Sequence, residues 1–312
     1  MLIEEKLLTL GREGKVKLYI TKPNNIKEAK GVVMLNHGMG EHIERYHEFA
    51  SRLAQAGYIV YGHNHRGHKD SISNYDDYGY INCEHSFDIL VDDNARILEL
   101  IKKEYPNSPI FLFGHSMGSF VVQRFAQLHG KKINGIILMG SAKLNRIVLD
   151  SGVLFAKLNC RFKGKKHRSK TLHKLMFGGF NKHFKPNRTE LDWLNRDEIE
   201  VDKYIADPYC GGVFSASFYR DFFRGLRNIN QNYELVPKDL PILIISGEMD
   251  PVGGPKVLVN NLYKTYQRNN IKDLELIIYP EARHELLLEL NKDEVMNDVI
   301  KWINHYSNLC NI

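Results

Sequence analysis

The chain has 312 residues, 43% of them hydrophobic and 26% charged, with a formal net charge of +6. That is enough for one large α/β domain with residues left over for an insertion. A pI near 8.9 suggests weak attraction to anionic surfaces, and without an aromatic-interleaved basic stripe it excludes a dedicated nucleic-acid partner. No apolar run approaches the length of a membrane span.

The N-terminus, Met1-Leu-Ile-Glu-Glu-Lys6, carries acids where a signal peptide would carry a basic region before an apolar core. The four cysteines, Cys83, Cys160, Cys210 and Cys310, lie far apart without C-x-x-C spacing. Reduced thiols in a cytoplasmic protein are expected.

Leu7 to Leu10 and Lys15 to Thr21 read as an antiparallel hairpin with Gly11 and Gly14 in its turn. Apolar runs follow at Gly31–Asn36, Gly57–Tyr61, Pro109–Phe113, Gly135–Met139, Leu240–Ser246 and Leu274–Tyr279. They are continuous rather than alternating, as parallel strands covered on both faces should be. Amphipathic helix patterns lie between them at about 44–56, 86–104, 117–129, 254–268 and 291–308. This alternation predicts a doubly wound, mostly parallel sheet.

The alternation breaks once. Residues 143–238 show no strand–helix unit, and an insertion there must sit above the carboxyl edge of the sheet, where ligands bind. The expected organisation is a core of 1–142 and 239–312 with a helical cap, or lid, of 143–238. No internal repeat or low-complexity tract is visible.

Behind the Pro109–Phe113 run stands Gly114-His115-Ser116-Met117-Gly118, followed by a helical pattern. A serine flanked by glycines between strand and helix is the context of a nucleophile elbow, which lifts the hydroxyl above the sheet. Serine is a weak nucleophile at neutral pH and needs a base, which needs an orienting acid. Two later strand ends offer both, in the chain order serine, acid, histidine: Glu248-Met249-Asp250 and Glu281-Ala-Arg-His284-Glu285. Glu248 and Asp239 are neighbouring carboxylates to Asp250. The loop His37-Gly38-Met39-Gly40-Glu41-His42, after the Gly31–Asn36 run, is placed to supply a second oxyanion donor.

The stretches His37 to Tyr46, Gly114 to Gly118, the Asp250 loop and Glu281 to Glu285 resemble the monoacylglycerol lipase and lysophospholipase group. That group lies in the serine-aminopeptidase-like branch of the α/β-hydrolases, and the resemblance runs over nearly the whole chain. It implies an eight-stranded, mostly parallel twisted sheet with helices on both faces and a helical cap. It further implies Ser116 as nucleophile, His284 as base and Asp250 as orienting acid, with the N–H groups of Met39 and Met117 as the oxyanion hole.

The implied activity is a serine carboxylic-ester hydrolase releasing a fatty acid from monoacylglycerol or lysophospholipid, without cofactor or metal. Two departures stand out. Asn64 and Lys69 occupy positions where the family commonly has aspartate and glycine, and Ser119 follows the elbow where a further glycine is common.

Other readings use the same residues. An aminopeptidase would need an anionic subsite, for which Glu198, Glu200 and Asp202 are candidates. A short-chain or feruloyl-type esterase would need a shallower, more polar pocket, and a noncatalytic binding protein would keep the scaffold alone. His63, His65 and His68 could hold zinc, but no cysteine or carboxylate completes a familiar spacing. His37, His42 and His115 read as loop supports. The basic block Arg161 to Lys170 could give the cap transient contact with an anionic membrane surface, against the plainer reading of a solvated face. Phe155, Phe162, Leu172, Leu175, Met176 and Phe177 are candidates to line an acyl tunnel. The sequence leaves oligomeric state, acyl length and headgroup open.

Overall fold

A computed structural model describes residues 2–10 and 14–310. The strands are β1 Leu2–Thr9, β2 Lys15–Lys22, β3 Gly31–Asn36, β4 Tyr58–His63, β5 Ile110–His115, β6 Gly135–Met139, β7 Ile242–Gly247 and β8 Leu274–Tyr279. They form one sheet in the order β1-β2-β4-β3-β5-β6-β7-β8. β1 and β2 pair antiparallel, as does β2 with β4, and all later pairings are parallel. Gly11 in the expected β1–β2 turn lies outside the described residues; the turn is closed by the Leu10 N–H donating to the Gly14 carbonyl at 2.7 Å.

Continuous apolar strands are buried on both faces because successive side chains point to opposite sides of the sheet. Val32, Met34, Ile110, Leu112, Ile136, Leu138, Ile242 and Ile244 enter one apolar cluster. Their strand neighbours Val33, Leu35, Phe111, Phe113, Ile137, Met139, Leu243 and Ile245 enter the other. The first face is covered by α2 (Ser86–Glu104), α3 (Met117–His129) and α8 (Val257–Arg268), the second by α1 (His47–Gln55) and α9 (Lys292–Cys310). This is the α/β-hydrolase arrangement expected from the sequence.

Between β6 and β7 the chain runs through α4 (Arg146–Lys163), α5 (Lys170–Phe177), α6 (Glu198–Ala206) and α7 (Ala216–Asn230). Each starts on a short polar residue whose side chain accepts a helix N–H: Asn145, Ser169, Asp197 and Ser215. Phe218, Phe222 and Leu226 of α7 join the same apolar cluster as α2 and α3, alongside Leu149 and Val153 of α4. The segment thereby packs on the α2–α3 side, and its Leu149, Gly152, Phe222 and Phe223 share a cavity with Ser116 at the end of β5. No helix among the described residues is long and apolar enough to cross a membrane.

Candidate active site

Ser116 sits between β5 and α3 with φ 52° and ψ −119°, a left-handed strain rarely held by a side-chain-bearing residue. The glycines beside it are dictated by close approach. A Cβ on Gly114 would lie 2.4 Å from the Gly118 carbonyl oxygen, and one on Gly118 would lie 2.3 Å from the Asn36 carbonyl oxygen. The Ser116 N–H continues the β5–β6 ladder by donating to the Met139 carbonyl at 2.9 Å. Ser119 adds a second tether, its hydroxyl donating to the Ser116 carbonyl at 2.6 Å and lying 2.7 Å from Ser141 Oγ. The residue that departs from the family pattern therefore braces the elbow from below.

Asp250 follows β7 and His284 follows β8, and the loops bring the two side chains together. His284 Nδ1–H donates to Asp250 Oδ1 at 2.9 Å, both groups fully buried. Asp250 Oδ1 also accepts from the Val252 N–H at 2.9 Å, which fixes the carboxylate. With Nδ1 carrying the proton, Nε2 is left as the basic nitrogen. Burial alone would push the His284 imidazole down, but the Asp250 carboxylate more than offsets it, and Glu285 and Glu41 add to the effect. The imidazolium is favoured above the ordinary histidine value. Glu248 points elsewhere, pairing with Lys256 Nζ at 2.7 Å.

Ser116, Met117, Met39 and His284 all line one cavity of about 460 Å³. Neither the Met39 nor the Met117 backbone N–H finds an acceptor among the described residues. Met117 opens α3, so its amide also carries the positive end of the helix dipole. The walls come from α4 and α7, through Leu149, Gly152, Phe222 and Phe223, and from Phe177, Trp193 and Leu194. Trp193 lies beside His284 with ring centroids 5.2 Å apart and the planes tilted by 40°.

The sequence-derived tunnel candidates divide. Phe155, Leu175, Met176 and Phe177 line the cavity, whereas Phe162 is 77% exposed and Leu172 is buried in the core. α4 turns Phe162 outward because its inward stripe is Leu149, Gly152, Val153 and Ala156.

A buried ionic network behind the site was not legible as such. Glu41 accepts from the Gly38 N–H at 2.6 Å, His115 Nδ1–H at 2.7 Å, Tyr46 OH at 2.9 Å and Arg45 Nη1 at 2.9 Å. Arg45 in turn makes a fork with Glu285, Nη2 to Oε2 at 2.8 Å. Burial would raise the Glu41 carboxyl, but His115 and Arg45 hold it well below the usual range. One carboxylate thus ties the loop of Met39 to the elbow, and its arginine ties both to the His284 loop. The i,i+4 pair Glu41/Arg45 was the available signal.

The other polar candidates are accounted for. His37 Nδ1–H donates to the Gly38 carbonyl at 2.8 Å while Nε2 accepts from the His65 N–H at 2.9 Å. His68 accepts from the Gly40 N–H at 3.4 Å. His63, His65 and His68 do not gather their ring nitrogens around a common point. Asn64 Oδ1 accepts from the Ile43 N–H at 2.9 Å, a role an aspartate would also fill. Lys69 adopts φ 33° where glycine is common, and its Nζ pairs with Glu44 at 2.7 Å. Asp202 pairs with Arg188 at 2.7 Å and Glu200 with Lys203 at 2.6 Å. With Glu198 they face away from the cavity, so the anionic subsite expected for a peptidase is not formed by these residues.

The chain is similar over most of its length to known ester hydrolases. The monoacylglycerol lipase of Mycolicibacterium smegmatis is 29% identical over 283 residues, covering 88% of this chain and 89% of that one. The mouse monoglyceride lipase is 27% identical over 282 residues, covering 88% and 83%. A carboxyl esterase from Bacillus coagulans superposes with a TM-score of 0.88 at 25% identity, covering 98% of this chain and 99% of that one. The pattern of the serine aminopeptidase S33 family matches residues 27–291, and the chain belongs to that family of hydrolases.

Proposed function

We propose that the protein is a serine esterase that releases a fatty acid from a single-chain lipid ester, with monoacylglycerol as first substrate and lysophospholipid sharing the same ester. The observation that carries the reading is the opening of Ser116 and of His284, held from behind by Asp250, into one apolar cavity walled largely by residues of 143–238. That segment serves as the cap.

Ser116 Oγ attacks the ester carbonyl while His284 Nε2 takes its proton, and Asp250 stabilises the imidazolium. The carbonyl oxygen becomes an oxyanion held by the Met39 and Met117 amides. His284 then protonates the departing glycerol oxygen, leaving an acyl group on Ser116. Water, deprotonated by His284, attacks that acyl-enzyme, and the fatty acid leaves with Ser116 restored. No step calls on a cofactor. Four free thiols support a reducing compartment, the cytoplasm.

Contact with a lipid surface fits the outer side of the cap. Ile147, Val148 and Phe155 are exposed on α4 and also line the cavity, so the acyl path opens at an apolar rim. Within the basic block, Lys165 and Lys166 pair with Glu84 and Asp77, and Arg168 donates to the Val213, Tyr75 and Asp76 carbonyls. These cations fasten the cap to the core, and the apolar rim is the stronger membrane-facing feature.

Hydrolysis of a monoacylglycerol chain-length series, with p-nitrophenyl acetate and an aminoacyl-naphthylamide alongside, tests the reading. Longer acyl esters should be turned over best. Preference for the aminoacyl amide would favour a peptidase, and preference for acetate a short-chain esterase.

A further inference from the structure

Away from the cavity, the loop that carries Met39 meets the cap at a compact set of donor atoms. A ring nitrogen of His42, a carboxylate oxygen of Asp207 and the sulfur of Cys210 all lie within 4.8 Å of one another, the one such group of three among the described residues. His42 is buried, while Asp207 and Cys210 are partly open to solvent, which leaves a path of entry. We propose that His42, Asp207 and Cys210 form a divalent-cation site of the zinc class that pins the cap to the oxyanion loop.

The donor chemistry is the first argument. Imidazole, carboxylate and thiolate are the three ligand types zinc takes, at about 2.0–2.3 Å, and three protein ligands leave a fourth position for water. The thiol selects zinc, or cobalt as its spectroscopic stand-in, over magnesium or calcium.

A second argument comes from behind the histidine. His42 Nδ1 lies 2.7 Å from Glu44 Oε2, while Nε2 faces Asp207 Oδ2 at 2.8 Å. The approach is an ion-pair contact without an aligned hydrogen bond, so Glu44 adds negative charge beside the ring. Asp207 is held in turn, its Oδ1 accepting from the Tyr209 N–H at 2.8 Å.

Charge is the third argument. Facing the group are the Glu44 and Asp207 carboxylates and the Lys69 ammonium, which sits 2.7 Å from Glu44 Oε1. Arg45 is near Cys210 but is already matched by Glu41 and Glu285. With the thiolate formed on binding, three negative charges stand against one positive, and a divalent cation restores neutrality. Coordination releases the thiol proton to solvent and requires no oxidant.

The position gives the site a consequence. The Gly211 N–H, one residue beyond Cys210, donates to the Gly40 carbonyl at 2.9 Å, beside the Tyr204 hydroxyl at 2.7 Å. A cation bridging His42 to Asp207 and Cys210 adds a cross-link to these hydrogen bonds at the mouth of the oxyanion loop. The site stands independently of which ester the protein hydrolyses.

Titration of the chelator-stripped full chain with Co²⁺ tests the proposal. A thiolate-to-cobalt charge-transfer band should saturate at one equivalent per chain and disappear on adding Zn²⁺. Cys210→Ala should lose the band, while single alanine variants of Cys83, Cys160 and Cys310 keep it. Glu44→Gln, which removes one of the carboxylates facing the group, should weaken the apparent affinity. Zn²⁺ should raise the melting temperature of the wild type and not of Cys210→Ala. No thiolate band at stoichiometric Co²⁺, or a band that survives Cys210→Ala, would overturn the site and leave His42–Asp207 as a hydrogen bond alone.

Discussion

The Tyr204 hydroxyl donates to the Gly40 carbonyl at 2.7 Å, so a buried side chain of the 143–238 segment sets the loop that carries the Met39 amide. The Gly211 N–H reaches the same oxygen at 2.9 Å, which fixes the peptide from two sides. Removing the Tyr204 hydroxyl leaves one of these supports. A net hydrogen bond of about 1 kcal/mol corresponds to roughly fivefold, so Tyr204→Phe should lower kcat by about that factor with KM little changed. Steady-state kinetics on monoacylglycerol measure it; a change confined to KM would assign Tyr204 to substrate binding instead.

The Asp250 carboxylate is the main group holding the His284 imidazolium above the ordinary histidine value of 6.5. Hydrolysis needs the neutral imidazole, so kcat/KM should rise with pH through a midpoint above 6.5. Asp250→Asn should lower kcat by about 10⁴-fold and move the residual acid limb to lower pH. A pH–rate profile with the midpoint at or below the ordinary value would contradict the Asp250–His284 coupling.

Arg45 lies between Glu41 and Glu285, and all three are almost wholly buried. Deleting a partner from a buried pair strands the opposing charge, at a cost of about 3–5 kcal/mol. Arg45→Met strands Glu285, while Glu41 keeps Gly38, His115 and Tyr46, so urea denaturation should show a loss within that range. A loss under about 1 kcal/mol would mean the network is open to water.

His63 and His68 are buried without charge, and burial pushes each down to about 4 from an ordinary 6.5. Unfolded histidines take up protons near 6.5, so the folded chain is at its full advantage above that pH and loses it as pH falls toward 4. His284 has the opposite sign: its contribution is complete below its unfolded value and fades as pH rises through its higher folded value. Between pH 7 and 5 the two low histidines should reduce unfolding free energy by on the order of 2–4 kcal/mol. Urea midpoints at the two pH values check this, and equal midpoints would contradict it.

The sheet was legible because Val32, Val33, Met34 and Leu35 can only be buried together if a strand is covered on both faces. The elbow was legible because Gly114 and Gly118 are required by backbone approach, which leaves a fixed trace in sequence. The cap was not. Phe162 and Leu172 look alike in composition, yet one faces solvent and the other the core, because the choice depends on where α4 and α5 meet α7. Tyr204 gave no local sign of its bond to Gly40, since the partner lies 164 residues away. Glu41 and Arg45 could be read as an exposed helical pair until Glu285 closed over them.

Fatty-acid release from monoacylglycerol by wild type and by Ser116→Ala, with fluorophosphonate labelling of both, tests the esterase assignment most directly. Ser116→Ala should keep its circular dichroism, lose labelling and lose turnover by at least about 10³-fold. Undiminished hydrolysis by folded Ser116→Ala would contradict the assignment.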